Sequence, residues 1–438
     1  MKKVALHTLG CKLNFSETST IGRQFLKNGF EVVDFNHEAD VYVINTCTVT
    51  ENAEKDCRQI VRKALRSNPD AYVVVTGCYA QLRPEEIAAI EGVDIVLGSK
   101  EKFDVFSFIE NFEKRDLACI FVSPVEDLSS EFGFASSGDT DGRTRAYFKI
   151  QDGCDYKCTF CTIPLARGSS RSMDPGKALE KFAELINGGY KEIILTGVNV
   201  GDYGKNVDTS FYNLLLKLIE VPGDYRIRIS SIEPNLLTDR ILELTAGSDR
   251  LVKHFHIPLQ SGSPTILRLM QRRYGTGDYE KLIYKANKIV PGLGIGVDVI
   301  TGFPGEGEKE FTETHNFLLN LPVSYFHVFT YSERPRTKAI NMSGVVDVAE
   351  RRRRTNVLRI LSQKKKDEFY SSMSGKEVEV LFENTDNSGE MKGFSSEYVR
   401  VSHPFQSEFT NKFSKFRILS NDAEQCYGEI VETEPITV

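Results

Sequence analysis

The chain has 438 residues, of which 40% are hydrophobic and 26% are charged. This balance excludes a disordered or collagen-like protein, and the length suits about three domains. The net charge is −6, and residues 371–438 carry the acidic excess, with 6 Lys and Arg against 12 Asp and Glu. Charge alone therefore predicts no overall nucleic-acid footprint. No run of about 18 apolar residues and no signal-peptide pattern occurs, so we expect a cytoplasmic protein without a membrane partner.

The first part of the chain alternates between strands and helices. Strands are predicted at residues 4–8, 31–35, 40–45, 71–76 and 94–97, and helices at 15–28, 51–67 and 84–90. This alternation predicts a parallel sheet with helices on both faces. Small polar residues then predominate from 124 to 142, which predicts a linker.

A second alternating series follows. Its predicted strands are residues 146–150, 192–196, 226–230, 254–259, 294–300 and 324–330. Six β/α units suit a partial barrel, which a long charged helix at about 346–370 closes. Short strands are then predicted at 378–382, 398–401, 416–418 and 426–431, as in a small antiparallel barrel.

We therefore expect an α/β protein with three domains. They are an N-terminal parallel α/β sheet domain (1–123), a partial (β/α)6 barrel (143–371) and a small antiparallel β-barrel (372–438), with residues 124–142 as the linker.

Three cysteines, Cys154, Cys158 and Cys161, form a C-x3-C-x2-C loop after the first strand of the second series. The nine cysteines of the chain are an odd number, and in a cytosolic protein they favour metal binding or catalysis over disulfides. Thiolates suit iron–sulfur clusters, and three of them on a four-iron cube leave one iron open for a small chelating ligand. A structural zinc is the alternative, but it takes four ligands and no fourth lies nearby.

This loop resembles that of the radical S-adenosylmethionine (SAM) superfamily, whose partial barrel also fits the six β/α units. The resemblance implies that the amino and carboxylate groups of SAM chelate the open iron. An electron from the cluster then splits SAM into methionine and a 5′-deoxyadenosyl radical.

Contacts to SAM are expected at strand carboxyl ends, where β/α folds bind ligands. Tight-turn chemistry is the alternative for any single position. The expected contacts are Thr196, Gly197, Asn199, Ser231, Glu233, Gln260 and Gly302.

A second set of cysteines, Cys11, Cys47 and Cys78, is dispersed in the sequence, but each member follows a predicted strand. Because the carboxyl ends of parallel strands lie at one edge of a sheet, these thiols can converge there. Three buried structural thiols are the alternative. That structural interpretation is preferred for the remaining cysteines, Cys57, Cys119 and Cys426.

Together, these features resemble the methylthiotransferases. The resemblance is carried by TLGCKLN at 8–14, NTCTVT at 45–50, GCYAQ at 77–81 and QDGC at 151–154. It implies that Cys11, Cys47 and Cys78 hold an auxiliary [4Fe–4S] cluster and that the C-terminal barrel is a TRAM domain, which binds RNA. The flanks of these three cysteines are most similar to the bacterial branch acting on N6-threonylcarbamoyladenosine in tRNA.

The implied reaction adds a methylthio group to C2 of that adenosine, next to the anticodon. One SAM supplies the methyl group to a sulfur on the auxiliary cluster, and a second SAM supplies the radical. The reaction implies tRNA, a sulfur source and an electron donor such as flavodoxin or ferredoxin as partners. The sequence identifies no catalytic residue for removal of the C2 hydrogen.

Three alternatives stay open at this point. A methylthiotransferase could instead act on isopentenyladenosine in tRNA or on an aspartate of a ribosomal protein, and the acidic C-terminal region mildly favours the latter. A non-catalytic RNA-binding protein with zinc is the alternative of another class.

Candidate tRNA contacts include two basic runs, residues 351–354 and 364–366. The alternative is that these runs form a solvated helix face or pair with the acidic C-terminal region. A basic face of the C-terminal barrel is a further candidate, with Lys392, Arg400, Lys412, Lys415 and Arg417. Arg336 departs from the family, since many relatives carry glycine there, and it leaves the local loop geometry open.

Overall fold

A parallel sheet forms the N-terminal part of the chain. The computed structural model describes residues 1–47, 53–130, 133–137, 144–383 and 389–431. The strands of this part are β1 (Lys3–Thr8), β2 (Glu31–Val33), β3 (Val41–Thr46), β4 (Tyr72–Gly77), β5 (Ile95–Leu97) and β6 (Cys119–Phe121). The helices are α1 (Lys12–Lys27), α2 (Ala53–Ser67), α3 (Cys78–Leu82) and α4 (Pro84–Ala88). Within the described residues the strand order is β2-β1-β3-β4-β5-β6.

Both faces of this sheet are covered, which explains its unbroken apolar strands. Every residue of β3 and β4 is buried. Helix α1 packs Ile21 and Phe25 on one face, and α2 packs Val61 and Ala64 on the other. The predicted parallel α/β sheet is confirmed. The partly exposed edge strand β6 was not predicted.

The register of the central strands brings their carboxyl ends level. Thr8 of β1 lies opposite Asn45 of β3, and Thr46 of β3 lies opposite Gly77 of β4. The residues that follow these three strands therefore meet at one edge of the sheet, as the sequence predicted.

The central part of the chain contains a second set of strands and helices. The strands are β7 (Arg145–Lys149), β8 (Gln151–Asp152), β9 (Arg171–Ser172), β10 (Glu192–Thr196), β11 (Arg226–Ile229), β12 (His254–His256), β13 (Gly294–Thr301) and β14 (Tyr325–Thr330). The helices are α5 (Ile163–Arg167), α6 (Pro175–Asn187), α7 (Phe211–Ile219), α8 (Asp239–Gly247), α9 (Pro264–Leu269), α10 (Thr276–Ile289), α11 (Glu308–Asn320) and α12 (Val348–Ser371).

Six of these strands form the predicted partial barrel. Strands β7, β10 and β11 pair in parallel, as do β12, β13 and β14. Two parallel bridges, Ile227 to Leu251 and Ser231 to His256, connect the two groups. None of the described helices combines the length and apolar content needed to cross a membrane.

The segment predicted as a linker is partly packed against the barrel. Ala135 is fully buried, and its carbonyl accepts from the backbone N–H of Lys149 over 3.0 Å. Ser136 forms an antiparallel bridge with Phe148 on β7. Residues 131–132 and 138–142 of the predicted linker lie outside the described residues.

A closed barrel of five strands forms the C-terminal part. Its strands are β15 (Glu377–Phe382), β16 (Glu390–Ser395), β17 (Arg400–Pro404), β18 (Phe413–Asn421) and β19 (Cys426–Ile430), in the order β15-β16-β17-β19-β18. The predicted small barrel is confirmed, but β16 was missed because Gly393 interrupts its weak alternation. The pair β17 and β19 is parallel. A closed ring with an odd number of strands cannot be antiparallel throughout.

A buried ion-pair group attaches the C-terminal barrel to the central one. Glu192 on β10 accepts from Nε of Arg226 at 2.6 Å and from Nε of Arg228 at 2.9 Å. These arginines also donate to the backbone carbonyls of Phe394 (2.8 Å) and Ser395 (3.2 Å) in the C-terminal barrel. Burial alone would raise the pKa of Glu192, but Arg228 and Arg226 hold it below its usual range.

We expect Glu192→Gln to destabilise the chain by about 3–5 kcal/mol, because the change leaves two buried arginines short of a countercharge. The stabilisation by Glu192 is present above the pKa of an unfolded glutamate and is lost as pH falls through the depressed folded value. Urea unfolding at several pH values measures this. Arg417→Gln, which breaks only exposed pairs within the C-terminal barrel, is the control. An equal loss of stability in both variants would contradict the assignment.

Candidate functional site

The cysteines of the N-terminal sheet lie together at its carboxyl edge. Cys11 precedes α1, Cys47 follows β3, and Cys78 begins α3 directly after β4. Gly10 has φ of +101°, and a Cβ built on it would lie 2.4 Å from Cβ of Cys47. Only glycine therefore allows the β1 end to approach Cys47 this closely. Cys47 and Cys78 are buried, whereas Cys11 is exposed.

A buried arginine contacts this first cysteine set. Nε of Arg167 lies 3.2 Å from Sγ of Cys78. Burial raises the pKa of the Cys78 thiol, and the neighbouring cations Arg167 and Lys102 oppose that rise. Arg167 belongs to the central barrel, so the contact crosses from one part of the chain to the other.

The second cysteine set lies on a loop fixed by backbone contacts. The backbone N–H of Thr159 donates to the carbonyl of Met270 over 3.1 Å, and the N–H of Ala339 donates to the carbonyl of Thr159 over 2.9 Å. The backbone N–H of Tyr156 points to Sγ of Cys154 at 3.4 Å, and that of Ile163 points to Sγ of Cys161 at 3.5 Å. Such N–H donors stabilise sulfur when it carries negative charge.

Two thiols of this loop have strongly raised pKa values. Burial raises the pKa of Cys154 to about 12 and that of Cys161 to about 11. At neutral pH both are therefore protonated in the metal-free chain. A metal that binds them as thiolates must displace these protons.

Each set offers three thiols, which are the donors of an iron–sulfur cluster, and neither set is gathered tightly as around one zinc ion. A tetrahedral zinc with bonds of about 2.3 Å places its sulfurs roughly 3.8 Å apart. Among the described residues, neither cysteine set has three sulfurs within 4.8 Å of one another. A four-iron cluster, whose cysteines attach to different irons, needs the wider spacing. The residues present therefore fit an iron–sulfur cluster in each set.

A cavity of about 220 Å³ adjoins the second set. Its lining includes Cys161, Gln260, Asp298 and Arg334. Burial lowers the pKa of Arg334, while Cys161 of one set and Cys47 of the other raise it. Arg334 therefore interacts electrostatically with a cysteine of each set.

A larger cavity of about 590 Å³ occupies the lumen of the partial barrel and adjoins the first set. It is lined by Cys11 and Cys47 and, on the barrel side, by strand-end residues such as Ser231. Asp298 and Phe329 line both cavities. The two cysteine sets therefore open onto neighbouring cavities with a common wall.

The predicted SAM contacts are divided among several places. Thr196, Gly197 and Ser231 line the larger cavity, and Gln260 lines the smaller one.

Two of the other predicted contacts are engaged elsewhere, and the third is buried. Glu233 forms an ion pair with Arg272. Gly302 packs against Arg351, whose Cγ would lie 2.3 Å from an added Cβ. Asn199 is buried, and within the described part of the chain its side-chain amide has no hydrogen-bond partner. As SAM contacts, all seven positions stay predictions.

A polar group inside the barrel was missed by the sequence analysis. Nε2 of His256 lies 3.0 Å from Oδ1 of Asp298, and Nδ1 of His327 lies 3.5 Å from the same oxygen. Burial alone would raise the pKa of Asp298, but His256 and His327 hold it well below its usual range. The available signal was a set of polar residues within otherwise apolar strands.

The basic run at 351–354 faces the protein as well as the solvent. Arg351 and Arg354 are buried, and they pair with Glu333 at 2.5 Å and Glu306 at 2.9 Å. The alternative placed the partners of the run in the acidic C-terminal region, but both glutamates lie in the central part of the chain. Arg336 has φ of +67°, a conformation that favours glycine and that other residues rarely adopt.

We expect thiol alkylation to separate the cysteines by their surroundings. In the metal-free chain, iodoacetamide should modify exposed Cys11 first and Cys78 slowly, because burial disfavours the reactive thiolate. Loading with iron and sulfide should protect Cys11, Cys47, Cys78, Cys154, Cys158 and Cys161. Cys119, which is remote from both sets, should keep its rate. Mass spectrometry of the labelled peptides measures this. If Cys11 stays unprotected after loading, its assignment as a cluster ligand is contradicted.

Two family models match this chain. Residues 3–98 match a family described as uncharacterized protein family UPF0004, and residues 148–318 match the Radical SAM superfamily. Among solved structures, the radical SAM methyltransferase TsrM from Kitasatospora setae superposes with a TM-score of 0.56 at 13% identity. That match covers 88% of this chain and 79% of TsrM. At this identity the likeness shows the fold alone.

Curated relatives match almost from end to end. A protein of Bacillus subtilis named threonylcarbamoyladenosine tRNA methylthiotransferase MtaB is 42% identical over 437 residues, which cover 98% of this chain and 97% of the relative. A protein of Aquifex aeolicus with the same name is 40% identical, and the match covers 86% of this chain and 92% of the relative. A protein of Fusobacterium nucleatum is 32% identical and is named tRNA-2-methylthio-N(6)-dimethylallyladenosine synthase. That match covers 98% of this chain and 100% of the relative. The chain therefore belongs to the radical SAM methylthiotransferase family.

Proposed function

We propose that this enzyme adds a methylthio group to C2 of N6-threonylcarbamoyladenosine in tRNA, using SAM and two [4Fe–4S] clusters. One observation carries the proposal: two cysteine sets open onto neighbouring cavities that share Asp298 and Phe329. Radical formation and sulfur transfer must reach the same carbon, so the two sites have to adjoin.

In this proposal, Cys154, Cys158 and Cys161 hold the cluster that binds SAM, and Cys11, Cys47 and Cys78 hold the auxiliary cluster. When bound, these groups supply the electron, the radical and the methyl and sulfur transfer. The chain orders its cysteines, encloses the cavities and keeps water from the reacting carbon. We assign the clusters and the substrate lumen to the units at 1–123 and 143–371, and tRNA binding to the TRAM-like barrel at 372–438. A sulfur source and a reductant such as flavodoxin or ferredoxin complete the reaction.

The polarity of the lumen supports the threonylcarbamoyl branch. That side chain carries a urea, a hydroxyl and a carboxylate, whereas an isopentenyl group is entirely apolar. The larger cavity presents His256, His327 and Lys12, which are hydrogen-bond donors or cations suited to a carboxylate. An isopentenyl chain offers these groups no hydrogen-bond acceptor.

The relatives that bear the threonylcarbamoyl name include the chains with 42% and 40% identity, against 32% for the dimethylallyl relative. This order also supports the branch. A ribosomal-protein substrate and a non-catalytic zinc protein gain no support from the lumen or from the sulfur spacing.

Mass spectrometry of total-tRNA nucleosides, with and without the gene, tests the proposal. We expect 2-methylthio-N6-threonylcarbamoyladenosine to disappear on deletion and its unthiolated precursor to accumulate. Plasmid-borne wild-type chain should restore the nucleoside. Cys11→Ala and Cys154→Ala should not, since each removes one ligand of a cluster, whereas Cys119→Ser should. An unchanged nucleoside profile after deletion would overturn the substrate, and the isopentenyl and ribosomal-protein substrates would be tested next.

We expect His327→Leu to lower kcat/KM for threonylcarbamoylated tRNA about 10- to 100-fold. The estimate corresponds to the loss of one hydrogen bond to a charged group, about 1.5–3 kcal/mol. His315→Leu, which changes a half-buried histidine on helix α11, is the matched control. Iron and sulfide content should equal that of the wild type in both variants. Unchanged kinetics in His327→Leu would remove His327 from substrate recognition.

A further inference from the structure

Arg167 connects the two cysteine sets. It is the last residue of α5, which begins 2 residues after Cys161. Its side chain extends to the other set, where Nε lies 3.2 Å from Sγ of Cys78. The guanidinium is 2% exposed, so water does not compete for this contact.

The remaining donors of Arg167 are all engaged, which fixes its orientation. Nη1 donates to Glu17 at 2.8 Å and to Asp152 at 3.2 Å. Nη2 donates to Asn14 at 2.7 Å and to Glu17 at 3.1 Å. A guanidinium has five N–H groups, and all five therefore have partners. The one directed at sulfur cannot rotate away without breaking the other four contacts.

Arg272 makes the corresponding contact to the second set. Its Nη1 lies 3.1 Å from Sγ of Cys158, and its Nε donates to the hydroxyl of Tyr274 at 3.0 Å. Glu233 pairs with the same guanidinium, whose side chain is 3% exposed. Each cysteine set thus has one buried arginine whose position is fixed by other protein groups.

We propose that Arg167 is a positioning residue for the auxiliary cluster, which holds Cys78 in place and raises the cluster's reduction potential through its N–H···S bond. Arg272 does the same for the SAM-binding cluster through Cys158. This inference rests on the proposed function, since it takes the two cysteine sets as cluster ligands. N–H donors and positive charge stabilise the form with one more electron, and hydrogen bonds to sulfur are among the factors that set such potentials. Two separate arginines allow the two potentials to be set independently.

The test measures each cluster alone in the full-length chain. Cys154→Ala, Cys158→Ala and Cys161→Ala together leave only the auxiliary set, and the triple alanine variant of Cys11, Cys47 and Cys78 leaves only the other. Each background is loaded anaerobically with iron and sulfide. It is then titrated with dithionite or titanium(III) citrate, with the paramagnetic reduced cluster followed by electron paramagnetic resonance.

We expect Arg167→Gln in the auxiliary-only background to shift the one-electron equilibrium about tenfold toward the oxidised form, about 59 mV. Arg167→Lys keeps the charge but loses the directed N–H, so a smaller shift in the same direction is expected. Arg272→Gln should leave this potential unchanged, and it should produce the corresponding shift in the other background. The crossed design separates a local effect on one cluster from a general loss of stability.

Three results would decide against the inference or in its favour. Full iron content with an unchanged potential in both Arg167 variants overturns it and leaves the proposed function intact. Loss of iron in Arg167→Gln, with a loaded but shifted Arg167→Lys, supports the positioning role. A parent background that binds no iron–sulfur cluster overturns the proposed function and this inference together.

Discussion

Glu17 is the buried anion that holds the N-terminal sheet against the partial barrel. It lies on α1, 6 residues after Cys11, and is 0% exposed. It accepts from Lys102 of its own domain at 2.7 Å and, across the domain boundary, from Arg167 at 2.8 Å and Lys149 at 3.3 Å. Burial alone would raise the pKa of Glu17, but Arg167 and the two lysines hold it far below its usual range. The distance between the two cysteine sets therefore depends on an ion-pair group that has no contact with solvent.

This dependence links folding to chemistry. Buried ion pairs add little net stability compared with a hydrophobic contact, but breaking one is costly because a charge is left uncompensated. Such a group therefore permits one arrangement of the two domains and penalises others. An arrangement shifted by a few ångströms would separate Arg167 from Cys78 as well as from Glu17 and Asp152. Arg167 therefore contacts Glu17 at the boundary between the two parts of the chain and also contacts Cys78.

The sequence was most informative where the chemistry is local or follows from strand direction. The C-x3-C-x2-C loop is visible in 8 consecutive residues, and the convergence of Cys11, Cys47 and Cys78 follows from parallel strands alone. The group of His256, Asp298 and His327 could not be predicted in this way, because it depends on which neighbouring strands pair and in which register. Arg167 and Arg272 were missed for a related reason, since the direction of a long side chain is set by distant partners. Gly302 is a further example: its strand-end position suggested a ligand contact, and the structure adds that Arg351 packs beside it.

The distribution of charge limits how tRNA can be recognised. In the basic run of α12, Arg351 and Arg354 form ion pairs with glutamates in the loops after β14 and β13. In the C-terminal barrel, Arg400 pairs with Glu383, which follows β15, and Arg417 pairs with Glu377 on the neighbouring strand β15. Cations already paired within the chain contribute less to phosphate binding, since their field is partly cancelled. Under the proposed function, the remaining specificity comes from the lumen, whose lining includes His256, His327 and Lys12. An enzyme arranged in this way would depend on the chemistry of the modified base more than on the length of tRNA backbone it contacts, and its binding would vary only weakly with salt.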